Sequence, residues 1–359
     1  MSNNRFIIIL TVLVFVLSGF ISWRLLSPDG GDKEISIKKQ ASILDSAPNK
    51  EGVTRKEAKM ISSRNAVSIT IASDRNRVDY YESTSGVAYE VGLDGSSERA
   101  LSSSRLPNFL STIWSPNKKE VISEFAATGN SRFYSYYNYT TKKSSRLAPG
   151  IKSVTFSPAG DRIAYFKEET DGLFGLFVSA PDGSTTQRIM TTRITDAEVF
   201  WPTKNSISLR SLDEDGRSNL FLVSVDGKMI KILSDKSALK VLWRADGGRA
   251  LVSYLNDDGI VLSVVDPATS SERNILTGAA ANECSWNTSE SVVCRIAENS
   301  TNPVWGAGLY NVSIRDGSTT PIQGGDRAAN EIGEILVDPT STYVIFTSAR
   351  DGKIFSIKI

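Results

Sequence analysis

The chain has no histidine among its 359 residues. Histidine is the usual base of Ser-His-Asp and Cys-His catalytic groups and a frequent ligand of zinc. Its absence excludes those arrangements. We therefore expect no catalytic residues of these kinds, no metal site and no cofactor, and the sequence favours a protein that is not an enzyme.

An excess of positive charge is also missing. Lys and Arg number 41 and Asp and Glu number 40, so the net charge is +1. Proteins that bind nucleic acid usually carry a clustered basic excess. We expect no nucleic-acid partner, and the composition identifies no small-molecule ligand.

The N-terminus carries the one long stretch without charge, residues 6–23. Its length is close to what a helix needs to cross a bilayer, so residues 1–24 predict a transmembrane anchor in contact with lipid. A cleaved signal peptide is the alternative, although such a segment normally has a shorter apolar run and a small-residue cleavage site. The anchor predicts a single-pass cell-membrane protein with a cytoplasmic N-terminus. Residues 25–56 have the composition of a flexible linker.

Beyond the linker, a strand with a large apolar residue recurs seven times, at a pitch of about 43 residues. Each copy continues through a short polar turn into a second strand. The anchor positions are Ile71, Trp114, Phe156, Trp201, Trp243, Trp286 and Val337. A period in this range indicates a repeat array, such as the blades of a propeller.

Each repeat contains four strand-like segments with period-two alternation and Asp-Gly turns, which favour antiparallel hairpins. The sequence therefore predicts an all-β chain with a seven-bladed β-propeller of four-stranded antiparallel blades over residues 57–359. The last repeat ends at Ile359 with only three strands. Counting back from Ile71 by the spacing of other repeats reaches Met60 and Ile61, so we expect residues 57–62 to form the closing strand of the last blade.

The turn after the third anchor carries a family resemblance. Residues Phe156 to Tyr165 read FSPAGDRIAY, and Trp114, Ser115 and Pro116 repeat the start of that motif. The pattern resembles the repeat of TolB-like propellers, also called WD40-like or PD40 repeats. The resemblance implies the propeller fold and does not imply one function, because such propellers serve as binding platforms, peptidase gates and enzymes.

Acidic residues cluster in the loops between the second and third strands of three successive repeats. Because these loops leave their blades on the same side, they predict an acidic face that could receive a protein partner. The candidate residues are Glu168, Glu169, Asp171, Asp213, Glu214, Asp215, Asp257 and Asp258. The alternative is that these are only soluble hairpin tips, where Asp and Gly are common.

The sixth repeat has two further features. An insertion between its second and third strands carries Trp305, which we expect either to pack against the rim or to anchor a partner. Cys284 and Cys294 lie on its first two strands, where a disulfide and two buried thiols are both compatible with the spacing.

These observations favour a membrane-anchored, extracytoplasmic propeller that acts as a protein-interaction or scaffold module without catalysis. A carbohydrate- or metal-binding propeller enzyme that uses rim or channel carboxylates is the alternative. A propeller that gates a peptidase would need a further domain.

Overall fold

A computed structural model of the protein describes residues 56–129, 131–213, 215–296, 308–324 and 332–359. The described chain is almost entirely β, and the strand pairs are antiparallel. This confirms the predicted all-β class built from four-stranded antiparallel units. Alternating apolar and β-branched residues explain the strands, because such residues pack well on a pleated surface.

The strands of the described residues form six hydrogen-bonded sheets. Strand β1 (Lys59–Ser62) precedes the first sheet in the chain and belongs to the last one. The first sheet contains β2 (Ala66–Ile71), β3 (Arg77–Glu82), β4 (Ala88–Gly92) and β5 (Arg99–Ala100). The second contains β6 (Phe109–Trp114), β7 (Glu120–Ala126), β8 (Arg132–Asn138) and β9 (Ser144–Arg146). The third contains β10 (Ile151–Phe156), β11 (Ile163–Glu168), β12 (Phe174–Ser179) and β13 (Gln187–Thr192).

The fourth sheet has seven strands. They are β14 (Ala197–Thr203), β15 (Ser206–Ser211), β16 (Arg217–Ser224), β17 (Met229–Trp243), β18 (Ala250–Asn256), β19 (Gly259–Asp266) and β20 (Ser271–Thr277). Its middle strand, β17, is 15 residues long and pairs with β16 over its first part and with β18 over its second. This single strand joins two groups of strands that the sequence predicted as separate blades.

The fifth sheet follows a short 3-10 helix, Ala281–Glu283, and contains β21 (Cys284–Trp286), β22 (Ser291–Ile296), β23 (Gly308–Ser313) and β24 (Thr319–Gly324). The sixth contains β25 (Ile332–Val337), β26 (Tyr343–Ser348) and β27 (Ile354–Lys358). Strand β1 pairs with β27 and gives this sheet its fourth strand, with Met60 opposite Phe355. The chain segment before the first sheet therefore completes the sheet at the C-terminus.

The core lies between neighbouring sheets. Phe166 and Leu176 of the third sheet pack against Val199 and Leu209 of the fourth. At the junction of the last and first sheets, Ile345 belongs to one buried cluster with Tyr80 and Ile61. Strand β25 also contacts β2, so the order of the sheets closes on itself. Each fully buried side chain of this size stabilises the fold by about 1.5 to 3 kcal/mol.

Six of the seven anchors end the first strand of a predicted repeat, and Trp201 lies two residues before the end of β14. Two of the anchors form hydrogen bonds to the preceding sheet. The indole Nε1 of Trp114 donates a hydrogen bond to the carbonyl oxygen of Ser68 in the preceding sheet, at 2.8 Å. The indole of Trp286 does the same to Leu242, at 3.3 Å. An indole combines a large apolar surface with one donor, so it can fill the space between two sheets and hold their backbones together.

The sequence predicted a single-pass cell-membrane protein with an extracytoplasmic propeller. The helices of the described structure correct this predicted localisation. Throughout the part of the chain that the structure describes, no helix is both long and apolar enough to cross a membrane. A spanning helix needs about 20 successive apolar residues, whereas the described residues form strands, turns and a three-residue 3-10 helix. The span and lipid contact predicted for residues 6–23 lie outside the described residues.

Candidate functional site

The predicted acidic residues lie on three hairpin ends. In the first hairpin, Glu168 ends β11 and is followed by Glu169 and Asp171. In the second, Asp213 and Asp215 lie between β15 and β16. In the third, Asp257 and Asp258 lie between β18 and β19. Each connection joins the second and third strands of a predicted repeat, so the three hairpins leave their sheets at equivalent edges. All these side chains are exposed except Glu169, which is half-buried. Glu214 and Trp305 lie outside the described residues.

Strand β17 holds two of the hairpins side by side. Its Ser237 lies opposite Arg217 at the start of β16 and opposite Leu255 near the end of β18. Neighbouring strands are about 4.8 Å apart, so two strand spacings place Arg217 roughly 10 Å from Leu255. The hairpin that carries Glu168 belongs to a different sheet. The structure therefore joins the second and third acidic hairpins through one sheet.

The carboxylates of the hairpins also hold their own turns. Asp215 Oδ1 accepts the backbone N–H of Arg217 at 3.1 Å, and Asp213 Oδ2 accepts the side-chain amide of Asn219 at 3.4 Å. Glu169 forms an ion pair with Arg188 at 3.4 Å. Within the described residues, no group of three or more His, Cys, Asp and Glu side chains is arranged to hold a metal ion.

Large apolar side chains lie exposed among these carboxylates, a feature that the sequence analysis missed. Leu212 is 39% exposed, Leu255 is 50% exposed and Ile260 is 41% exposed. Leu255 and Ile260 are cross-strand partners on either side of the hairpin end that carries Asp257 and Asp258. We call Leu212, Asp213, Asp215, Leu255, Asp257, Asp258 and Ile260 together the acidic-apolar face.

A sequence signal for this face exists. The two hairpins read LDEDG, from Leu212, and LNDDG, from Leu255, so both match Leu-x-x-Asp-Gly. The first acidic hairpin reads EETDG, from Glu168, and lacks the leucine. An apolar residue that opens a polar turn in two successive repeats is therefore the pattern that would have identified the face.

Two basic residues beside the face are paired with carboxylates. Arg217 forms an ion pair with Asp235 at 2.9 Å, and Lys236 forms one with Glu272 at 2.9 Å. The Lys236 ammonium also lies 3.8 Å from the ring centroid of Tyr254. Burial acts to lower the pKa of Lys236, but the hydrogen bonds and charge interactions with Glu272 and Tyr254 together outweigh that effect and the pKa is raised. These cations have carboxylate partners of their own, so the acidic character of the hairpin ends is retained.

The two cysteines lie in the fifth sheet, away from this face. Cys284 of β21 is the cross-strand partner of Cys294 of β22, and the structure joins their sulfur atoms in a disulfide. Both residues are buried. Of the two alternatives compatible with the sequence, the structure contains the disulfide.

Three solved structures that are similar to this chain give its fold. An oligogalacturonate lyase in complex with manganese is 13% identical, with a TM-score of 0.62 and coverage of 85% of this chain and 93% of that chain. The β-propeller domain of Cps50 (Swd1) from Myceliophteria thermophila is 14% identical, with a TM-score of 0.57 and coverage of 84% and 100%. The β-propeller domain of the Trilobed protease from Pyrococcus furiosus is 14% identical, with a TM-score of 0.56 and coverage of 85% and 94%. No protein-family model and no curated protein sequence matches the chain.

At these identities the similarity shows the β-propeller fold alone. The resemblance to TolB-like and WD40-like repeats is confirmed to that extent. The expectation that the chain is not an enzyme is corrected, because the similar structures include a lyase as well as a propeller domain of a protease. Propellers with this architecture therefore include enzymes, and the missing histidine excludes only the chemistries that need it.

Proposed function

We propose that the chain is a seven-bladed propeller that binds a protein partner through the acidic-apolar face. The count of seven treats the seven-stranded sheet as two blades that share β17, beside five four-stranded blades. In this arrangement β17 is the outer strand of one blade and the inner strand of the next. The contact between β25 and β2 supports a closed ring.

The observation that carries the proposal is the pair of Leu-x-x-Asp-Gly hairpins held side by side by β17. Leu212, Leu255 and Ile260 expose apolar surface that would be removed from water in a complex. Burying the surface that each of these side chains now exposes would favour binding by about 1 kcal/mol. Clustered apolar side chains surrounded by charge are typical of protein contact surfaces.

The charges define the chemistry of the partner. Asp213, Asp215, Asp257 and Asp258 favour a partner that presents basic side chains around an apolar centre. Such charges mainly set the association rate and its salt dependence, whereas the buried apolar contacts set the lifetime of the complex. We therefore expect binding to weaken as ionic strength rises.

Site-specific photo-crosslinking in the cells that produce the protein tests the proposal. A photoreactive residue at Asp257 should give a discrete adduct with one protein, and the same residue at Asn117, on the opposite edge, should not. Combining the Asp257 probe with Leu212→Ala, Leu255→Ala and Ile260→Ala should remove most of the adduct, because about 3 kcal/mol lost from binding is a factor of roughly 100 in affinity.

The matched control is the pair Met229→Ala and Ile230→Ala, which removes exposed apolar side chains at the other edge of the same sheet. This control should leave the adduct intact. Equal adducts from both probe positions, or an adduct that survives the triple substitution, would contradict the proposal.

A further inference from the structure

A cavity of about 310 Å³ lies between the first and second sheets. Tyr81 of β3 and the connection from β5 to β6 form one side, and residues of β7, β8 and β9 form the other. We call it the intersheet pocket. Its volume falls at the lower end of the range for small-molecule sites, about 300 to 1,000 Å³.

The lining of the intersheet pocket is uncharged and rich in hydroxyl groups. Of its ten residues, five are serines and three are the tyrosines Tyr81, Tyr137 and Tyr139, with Leu106 and Phe125 completing the set. Hydroxyl groups can both donate and accept hydrogen bonds, and aromatic rings offer flat apolar surface. The pocket thus combines two kinds of contact in a small volume.

The three tyrosines of the lining are held in place by their own contacts. The hydroxyl groups of Tyr81 and Tyr139 are hydrogen-bonded at 2.7 Å. The Tyr139 ring stacks on Trp114 with centroids 6.0 Å apart and meets the Tyr137 ring edge-on at 5.1 Å. Burial raises the pKa of Tyr81 and of Tyr139, so both phenols keep their protons at neutral pH.

The segment that connects β5 to β6 is fixed to the first sheet. The Ser102 hydroxyl accepts the backbone N–H of Ala88 at 3.2 Å, and the backbone N–H of Leu106 donates to the carbonyl oxygen of Ser85 at 2.9 Å. Both sides of the pocket are therefore ordered by contacts within the protein, which lowers the entropy lost when a ligand binds.

The lining selects among ligand chemistries. A charged ligand would lose its hydration without meeting an opposite charge. Several lining hydroxyls already have one partner within the protein, and each can form further hydrogen bonds because a hydroxyl both donates and accepts. A purely apolar ligand would cover that remaining capacity without using it. A ring with apolar C–H faces and several hydroxyl groups meets both kinds of lining. We propose that the intersheet pocket binds a neutral, polyhydroxylated ring, the chemistry of a sugar of roughly one or two rings.

Saturation-transfer NMR on the full chain tests this proposal with two neutral probes, methyl β-D-glucopyranoside and maltose. We expect transfer to both, with a Kd of millimolar order for so small a ligand. D-glucuronate and D-glucosamine have a similar ring with one negative or one positive charge. We expect at least tenfold weaker binding of both, because none of the ten lining residues carries a compensating charge.

Two substitutions at exposed positions of the lining fill the pocket without disturbing the core. Ser104→Trp and Ser144→Trp should each reduce the affinity for the neutral probes at least tenfold. Ser103→Trp is the matched control, since Ser103 is exposed, adjacent in sequence and outside the lining. Circular dichroism would check that all three variants fold.

No transfer to either neutral probe would overturn the proposal. Equal binding of the charged probes, or affinity for the neutral probes that both filling variants retain, would overturn it as well. The inference is independent of the acidic-apolar face, so the crosslinking experiment and this one can fail separately.

Discussion

Asp79 carries a carboxyl group into the interface between the first two sheets. It is only 7% exposed, and the strand register places it between Thr70 of β2 and Glu90 of β4. Its Oδ1 accepts no hydrogen bond from the described residues, whereas Glu90 is held by Arg77 and Arg99. A buried charge without a full set of partners is costly. We therefore predict that Asp79→Asn stabilises the protein at neutral and alkaline pH.

The magnitude follows from the titration of this carboxyl group. Burial, reinforced by the nearby Glu90 carboxylate, raises the pKa of Asp79 from 3.8 to about 7, against the opposing effect of Arg77. The folded protein thus holds the proton more tightly than the unfolded chain, and linkage lowers the free energy of unfolding as pH rises from 3.8 to about 7. One pKa unit is about 1.4 kcal/mol, so the whole decrease is about 4 kcal/mol. Roughly 2 to 3 kcal/mol of this decrease in the free energy of unfolding occurs between about pH 5 and 8.

Urea unfolding at several pH values, followed by tryptophan fluorescence, measures this effect. The free energy of unfolding of the wild type should fall between about pH 5 and 8, and that of Asp79→Asn should fall by roughly 2 to 3 kcal/mol less. Asp74→Asn is the control. Burial acts to raise the pKa of Asp74, but hydrogen bonds from the Asn76 backbone and Arg77 outweigh it and lower the pKa below 3.8. Asp74 is therefore ionised in both the folded and the unfolded chain between about pH 5 and 8, and Asp74→Asn should keep the pH profile of the wild type there. Parallel pH profiles for the wild type and Asp79→Asn would refute the reasoning.

Three further predictions concern the links that close and hold the sheets. Deleting residues 57–62 removes the strand that pairs with β27, and should lower the melting temperature markedly; an unchanged melting temperature would show that the pairing is dispensable. Glu334→Ala removes the carboxylate of the last sheet that accepts the backbone N–H of Ser68 in the first sheet, at 2.9 Å. We expect the free energy of unfolding in urea to fall by about 1 to 3 kcal/mol and to be partly restored by Glu334→Gln. Replacing Cys284 and Cys294 by Ala should lower the free energy of unfolding by about 2 to 3 kcal/mol, because the unfolded chain gains loop entropy. Mass spectrometry without reductant should detect the disulfide in the wild type, and two free thiols there would contradict the pairing.

The repeat pattern was sufficient to predict the strands of the fold. The anchors recur at or near the end of each first strand, and from this position Trp114 and Trp286 each form a hydrogen bond to the preceding sheet. The missing outer strand was also visible, since counting back from Ile71 reached Met60 and the structure pairs Met60 with β27. Spacing patterns of this kind can be recognised from the sequence alone.

The continuity of β17 was not visible in the sequence. Asp235 and Ala238 adopt positive φ angles of 57° and 53°, and such positions normally mark turns. Here the ladder continues past them with shifts in register. Whether a strand continues through such positions depends on its neighbours β16 and β18, and this tertiary context is not contained in the local pattern.

The sequence indicated the acidic residues of the acidic-apolar face but not its exposed apolar side chains. Asp213 and Asp257 were identified because acidic turns stand out in a sequence. The exposure of Leu212 and Leu255 could not be read in the same way, because an apolar residue beside a turn is usually buried. Exposure is decided by what packs above a strand end, so only the structure places apolar and acidic side chains on one face.

The intersheet pocket occurs where the outer strands are shortest. Strands β5 and β9 have two and three residues, whereas β13, β20 and β24 have six, seven and six. A short outer strand contributes few side chains, so the outer part of the interface between the first two sheets remains unfilled. The hydrogen-bonded Tyr81 and Tyr139 form its wall, while the exposed Ser104 and Ser144 lie at its rim. Strand length therefore sets the position of the pocket, and a ligand would enter beside β9 rather than along the inner strands.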